Sequence, residues 1–336
     1  MDAVPPSWRL MRLLDGFVTT QLLYVAAELG VAEVLADGPR SGAEIAAAVG
    51  VAPGPLVRVL RGLVIDDVLA EEDDGRFALT PVGACLPALR GSAQARADLY
   101  YRAAPGLLDA VRAGGTAFEH VYGEPFFGHL EHDAAHQAAF EASMAGRSAQ
   151  EARDVVDAYD FTPFRRLVDV GGGRGVLLGA VLAAAPELHG VLVDREPVIP
   201  AARAHLDAAG VGDRADCVAG DFFDSVPEGA DAYLVCRVLH DWPDADAARV
   251  LAACRRAMTP DSRLLVVDAV LPVRAHDAPA VIRMDLHMLL LFGARERTEH
   301  EFRTLFAASG FELQDVTMTA SPAGLGILTA APSRSM

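Results

Sequence analysis

Residues 168–175 read VDVGGGRG, an apolar run that breaks into consecutive glycines. A loop without side chains lets backbone groups approach a ligand closely. The spacing is not that of a dinucleotide fingerprint. From Gly171 and Gly173 the last required glycine falls on Val176, and from Gly173 and Gly175 on Leu178. What is present is D-x-G-x-G-x-G, with Asp169 inside the segment that feeds the loop. Asp194 ends the next apolar run, where a carboxylate can accept both hydroxyls of a ribose. Asp221, in AGDFF, follows the third run; it can accept from an exocyclic amine, with Phe222 and Phe223 as walls for an adenine. Arg174 is the one basic residue at the loop, so the ligand implied is a nucleoside that makes no demand for phosphate binding.

RVLHDWPD (237–244) follows the apolar run AYLVC (232–236). A strand entering a core needs no imidazole at its exit, which makes His240 a candidate proton acceptor. Trp242 is placed to wall the nucleoside, and Asp241 reads as a turn or cap residue. The chain contains no Lys and no Asn. Schiff-base chemistry, pyridoxal phosphate anchoring and the P-loop lysine are therefore excluded, and any base must be His, Asp, Glu, Tyr or Cys. Cys85, Cys217, Cys236 and Cys254 form no CxxC pair, so neither a cysteine metal cluster nor a disulfide framework is expected.

These residues need elements to position them. From 165 onward short apolar runs (LVDV, GVLVD, ADCVAG, AYLVC, RLLVVDAVL, FELQDVTM, GILTAA) alternate with helical stretches at 176–185, 197–209, 244–258 and 299–309. That alternation predicts an α/β domain with a parallel sheet and helices on both faces. The domain boundary is placed near 160, and the long connection 270–298 reads as a lid or substrate loop. Before it, 93–160 is Ala-rich with helical periodicity, and 10–36 reads as two helices broken near Gly30. Ser41 and Glu44 form a capping-box pattern, Gly50–Pro53 a turn, and VLAEEDDGRFALT (68–80) two strands around a polar turn. Helix-turn-helix followed by a hairpin is a winged-helix pattern. DNA contact fits it poorly, because the wing carries EEDD, the second helix offers only Arg58 and Arg61, and the net charge is −17. No window supplies a membrane span, and MDAVPPSWRLMRLL lacks the order of a secretory signal, so a soluble, cytoplasmic protein is expected.

VDVGGGRGVLLGAVLAAAPELHGVLVDREPVI, AGDFF, LHDWPD and GARERTEHEFRTLFAASGF together resemble the caffeate and hydroxyindole type of S-adenosylmethionine-dependent small-molecule O-methyltransferase, in the subgroup of bacterial natural-product pathways. The resemblance covers essentially the whole chain. It implies a Rossmann-like class I methyltransferase sheet over 161–336 and an α-helical, winged-helix domain over 1–160 that dimerises and caps the substrate. It also implies a homodimer, S-adenosylmethionine going to S-adenosylhomocysteine without a metal, and a phenolic hydroxyl of an aromatic or polyketide-type molecule as acceptor. Carried over by position, the cofactor residues are Asp169, Gly171, Gly173, Asp194, Arg195, Asp221, Phe222, Phe223, Trp242 and Ser148. His240 is the implied general base, with Asp268 and Glu296 as its supporting acids. Phe140, Met144, Asp241, Met288 and Phe292 fall on substrate positions. His136 and His287 stand near the same elements and can touch substrate, solvent or the dimer partner.

Two positions depart from the family. A lysine usual in plant relatives is Cys236 here, which leaves the cofactor contact to its backbone or thiol or to Arg237. Asp268 stands where Glu is common, one methylene shorter. A phenol of pKa near 10 facing a histidine near 6.5 makes full proton transfer uphill by roughly 5 kcal/mol. A carboxylate on the far ring nitrogen reduces that gap. Two other readings stay open at this level: a relative that binds the cofactor but hydroxylates or decarboxylates an aromatic, and a metabolite-sensing winged-helix regulator. The acceptor itself is not readable from residue types.

Overall fold

The computed structural model describes residues 5–333, with residues 145 and 146 described by their backbone alone. The chain divides into two compact units. One runs through Pro105 and adds Phe127–Gly146; the other takes Gly106–Phe126 and everything from Arg147 onward.

In the first unit, α1 (Pro6–Leu14), α2 (Gly16–Leu29) and α3 (Val31–Val34) are followed by β1 (Arg40–Ser41), α4 (Gly42–Val49) and α5 (Pro53–Ile65). The expected break at Gly30 is there, in a left-handed conformation, and a second break at Asp15 divides what the sequence presents as one helix. Ser41 and Glu44 form a complete capping box, and α4 and α5 meet at a bend of 114°. The hairpin β2 (Leu69–Glu71) and β3 (Arg76–Leu79) is joined by β1 into a small antiparallel sheet of order β1-β3-β2. Ile45, Leu56, Leu60, Leu63 and Phe77 form its buried core. Then α6 (Arg90–Ala95) passes through a π-helical stretch, Arg96–Tyr100, into α7 (Tyr101–Ala103).

The second unit contains α8 (Leu107–Ala113) and α9 (Ala117–Tyr122); α10 (Phe126–His132) and α11 (Ala134–Ala158) follow in the chain. The large sheet comes next. Its strands are β4 (Arg166–Val170), β5 (His189–Asp194), β6 (Ala215–Ala219), β7 (Ala232–Cys236), β8 (Arg263–Ala269), β9 (Phe311–Met318) and β10 (Leu325–Pro332). They are connected by α12 (Val176–Ala184), α13 (Ile199–Ala208), α14 (Asp244–Ala257), α15 (Pro279–Leu291) and α16 (Glu299–Ala308). The order is β6-β5-β4-β7-β8-β10-β9. β4, β7 and β8 are buried along almost their whole length, with one apolar cluster on each face of the sheet, as continuous apolar runs require.

Two expectations need correction here. The sheet is mixed: β10 runs antiparallel between β8 and β9. Residues 319–324 leave no room for a crossover helix between FELQDVTM and GILTAA, so the second strand must return antiparallel. The connection 270–298 is no simple loop, since α15 fills its middle. PAVIRMDLHMLLL is apolar at so many positions that its 3.6-residue period is hidden.

One consequence of topology fixes the site. The chain leaves β4 for β5 and β6 on one side, then returns to β7 on the other. The crevice at the carboxyl ends of β4 and β7 is the switch point of the sheet.

Candidate active site

The glycine loop opens from β4 at that switch point. Gly171 and Gly173 have φ of 71° and 56°, a region that side chains avoid. Gly172 is required for space, because a Cβ there would lie 2.4 Å from Asp169 Oδ2. Asp169 is buried, and neither of its carboxylate oxygens has a hydrogen-bond partner among the described residues. Burial, with the charge of Asp194 adding to it, holds the Asp169 carboxyl up to about 7. A buried carboxylate left without a donor is costly unless a ligand supplies one. Asp194 is fixed from both sides: Gly173 N–H donates to Oδ2 at 2.8 Å and Arg195 N–H to Oδ1 at 2.7 Å. Arg195 contributes that backbone group while its side chain is exposed. Asp221 Oδ1 accepts from Phe223 N–H at 2.9 Å, and the Phe222 ring lies over Gly171. Phe223 is turned toward Trp242, edge-on at 4.8 Å, with the Arg249 guanidinium 4.7 Å from its ring. The two phenylalanines therefore do different things: one reaches the loop and the other braces the tryptophan.

Across the crevice, β7 ends in Cys236 and Arg237. Arg237 has φ of 54°, uncommon for a residue with a side chain and a feature that gathers at functional sites. Its guanidinium donates to Glu151 Oε1 at 2.6 Å and lies 3.6 Å from Glu296 Oε1, so it is engaged within the protein. Desolvation pushes the half-buried Cys236 thiol well above its ordinary range, and it stays protonated. His240 follows in a short 3-10 turn, Leu239–Asp241, and is 4% exposed. Its Nδ1 is 3.0 Å from Glu296 Oε1, and its Nε2 is 3.4 Å from Asp241 Oδ1. Burial by itself lowers the imidazole pKa, but Asp241, Glu296 and Asp268 together outweigh it and raise it to about 9.

Asp268 is not hydrogen-bonded to His240. Both its oxygens are buried without a hydrogen-bond partner among the described residues, and burial raises its carboxyl. It acts on the imidazole through charge alone, as its shorter side chain suggests. Met288 is buried on α15, and Phe292 packs edge-on against Phe126 at 4.9 Å. Phe126 in turn meets Phe118 at 5.2 Å, and Phe118 stacks on Tyr122 at 4.2 Å. Ser148 is half-buried on α11. Phe140 and Met144, also on α11, belong to the other compact unit.

Three residues had no sequence signal. Arg297 is buried and donates to Leu239 O at 2.7 Å, Trp242 O at 2.9 Å and Asp244 Oδ1 at 2.9 Å. It ties down the whole turn that carries His240. Asp285 Oδ1 accepts from Glu296 N–H at 2.9 Å, and Thr298, with Glu301, caps α16 directly after them. Glu151 neutralises Arg237 from α11. In sequence each of these is a charged residue in a helical or loop context, where a solvated face is the ordinary explanation.

A family model for the O-methyltransferase domain matches residues 105–312, and one for the O-methyltransferase dimerisation domain matches residues 11–88. Phenazine O-methyltransferase PhzM of Lysobacter antibioticus is 44% identical, over 98% of this chain and 97% of that protein. Among solved structures, CalO1, a methyltransferase in calicheamicin biosynthesis in its S-adenosylhomocysteine-bound form, aligns with a TM-score of 0.88. Its identity is 37%, over 99% of this chain and 100% of that one. NcsB1, an O-methyltransferase from neocarzinostatin biosynthesis in complex with S-adenosylmethionine and 2-hydroxy-5-methyl naphthoic acid, aligns at 0.78. Its identity is 31%, over 99% of this chain and 100% of that one. With a mixed sheet, a switch-point glycine loop and matches along nearly its full length, this chain belongs to the O-methyltransferase family.

Proposed function

We propose that the protein transfers the methyl group of S-adenosylmethionine to a phenolic hydroxyl of an aromatic or polyketide-type small molecule, with His240 as the base. The observation that carries this reading is the buried His240–Glu296 pair at 3.0 Å, in the crevice that also holds the unpartnered Asp169 carboxylate. S-adenosylmethionine, when bound, supplies a methyl group on a positively charged sulfur. Asp169 offers buried acceptors to its ammonium group, Asp194 to its ribose, and Asp221, Phe222 and Trp242 surround its adenine. Gly171 and Gly173 supply the close backbone approach; Ser148 and the backbone at Cys236 and Arg237 complete the wall. Glu296 holds the Nδ1–H of His240, so the neutral ring presents a lone pair at Nε2. That lone pair is placed to take the proton of a phenol whose oxygen would accept the methyl group, the methyl–sulfur bond breaking with its electron pair left on sulfur to give S-adenosylhomocysteine. With the imidazole at about 9 and a phenol near 10, the transfer is uphill by only about 1.4 kcal/mol. Asp241, Met288 and Phe292 of the second unit are assigned to the acceptor.

Residues 1–160 serve dimerisation and substrate capping in a winged-helix arrangement, and 161–336 bind the cofactor. The protein is a cytoplasmic homodimer with neither a nucleic-acid nor a membrane partner. No single helix among the described residues is long and apolar enough to cross a membrane. The test offers purified protein S-adenosylmethionine labelled on the methyl, with a panel of hydroxylated naphthoates, benzoates, anthracyclines and quinones. Transfer to at least one phenol is expected, and His240→Gln should lower kcat about 10²–10⁴-fold with cofactor affinity nearly intact. Cofactor binding without transfer to any acceptor would reject the reading, and an unchanged rate in the variant would remove His240 as base.

A further inference from the structure

HLEHDAAH (129–136) joins α10 to α11 and brings its polar side chains together at helical spacing. His129 lies in the last turn of α10, Asp133 between the helices, and His136 in the first turn of α11. Asp133 Oδ1 caps α11, accepting from His136 N–H at 3.0 Å. Its other oxygen is turned to the rings: Oδ2 is 3.1 Å from His136 Nδ1 and 3.6 Å from His129 Nε2. The two ring nitrogens are themselves 2.8 Å apart. Three ligand atoms thus lie within 4.8 Å of one another. On the far side of His136, Nε2 is 3.3 Å from Asp98 Oδ2 in the π-helical stretch, and Asp98 Oδ1 accepts from Arg102.

With its Nε2 turned to Asp98, His136 directs Nδ1 at the point that Asp133 Oδ2 and His129 Nε2 also face. A cation at that point would meet three donor atoms at once. An imidazole with one nitrogen on a carboxylate and the other aimed at a shared point is how metal-bound histidines are held. We infer that His129 Nε2, His136 Nδ1 and Asp133 Oδ2 form a site for one divalent transition ion of the zinc type. Asp98 orients His136, and water takes the fourth position. Two imidazoles and one carboxylate suit zinc better than magnesium or calcium, which prefer all-oxygen sets. Zinc–nitrogen bonds at tetrahedral angles set the nitrogens roughly 3.3 Å apart, so the rings need to part by about 0.5 Å. The ion would pin the last turn of α10 to the first turn of α11, both in the first unit. It takes no part in methyl transfer, and the inference stands independently of that reading.

The experiment uses the untagged full chain, stripped by a chelator and desalted, then titrated with Zn²⁺ against a chromophoric competitor. One equivalent per chain with Kd below about 1 μM is expected. His129→Gln and His136→Gln should each weaken binding about 100-fold or more, and Asp98→Asn about tenfold. His276→Gln, at an exposed position elsewhere, should leave binding unchanged. Co²⁺ in place of Zn²⁺ should give the visible absorption of a four-coordinate nitrogen and oxygen site. That reading on the unmodified chain decides the matter even where a histidine variant fails to fold by circular dichroism. No binding at about 100 μM Zn²⁺, an octahedral Co²⁺ spectrum, or equal affinity in folded His129→Gln and His136→Gln would overturn the inference.

Discussion

At His240 two electrostatic effects oppose each other. Removal from water favours the neutral ring, while Asp241, Glu296 and Asp268 favour the cation and win, so the imidazole lies at about 9. An imidazole at that value is close to a phenol in basicity and is mostly protonated at neutral pH. The acidic limb of kcat/KM for a phenol acceptor should therefore rise with pH and level off near 9, the free-enzyme value that this parameter reports. Asp241→Asn removes one of the three carboxylates and should move that limb toward the ordinary imidazole value near 6.5. An unmoved limb would show that Asp241 does not set it. Asp169, the carboxylate proposed to face the cofactor's ammonium group, responds in the opposite direction. Its carboxyl, raised to about 7, takes up a proton as pH falls below that value and loses its charge. S-adenosylmethionine affinity, measured by calorimetry, should weaken about tenfold per pH unit below 7, and Asp169→Asn should bind weakly with that slope abolished. A wild-type affinity flat between pH 5 and 7 would separate Asp169 from the cofactor.

The element that carries the proposed base is the turn from β7 to α14, which has little regular structure of its own. Arg297 holds it from the connection before α16 through the carbonyls of Leu239 and Trp242. Arg297→Leu leaves those two carbonyls without their donor, at a cost of roughly 1–3 kcal/mol each when buried. Misplacing the imidazole by about an ångström is enough to lose roughly 10²-fold in rate. The variant should therefore lower both Tm and kcat, the latter about 10–100-fold, while cofactor affinity moves little. Restoring a single charge with Arg297→Lys should recover less than half of the loss in log kcat, because an ammonium cannot reproduce the fork that reaches both carbonyls. Full recovery by lysine would mean that charge, and not geometry, is what Arg297 contributes.

At the scale of the whole molecule the unsatisfied feature is α1. None of its residues is buried, and Trp8 and Leu13 are 70% and 71% exposed, with Leu10, Met11 and Leu14 beside them. Apolar surface of this kind is normally covered by a partner. The dimerisation-domain match over 11–88, which takes in Met11–Leu14 of α1, supports a second copy as that partner. Replacing Leu10 and Leu13 together by Glu should shift the protein from dimer to monomer in sedimentation at micromolar concentration, with the circular dichroism spectrum retained. A dimer that persists would place the interface elsewhere in the first unit.

Much of the sheet, and one side of the crevice, was legible residue by residue. Apolar runs of strand length, glycines with no room for a Cβ and carboxylates at strand ends are local requirements, so they leave a local trace. The capping box at Ser41 is equally local. The direction of β10, the helix inside 270–298 and the partners of the imidazole were not decided locally. Glu296 reaches His240 across 56 positions, Arg297 reaches Leu239 across 58, and Arg237 meets Glu151 across 86. A charged residue looks the same in sequence whether it faces water or a buried counter-charge. The sequence alone determined that a glycine loop and an imidazole follow strands of one sheet. Only the tertiary structure chose Glu296 over Asp268 as the partner of that imidazole, because the choice depends on reach and burial across the closed fold.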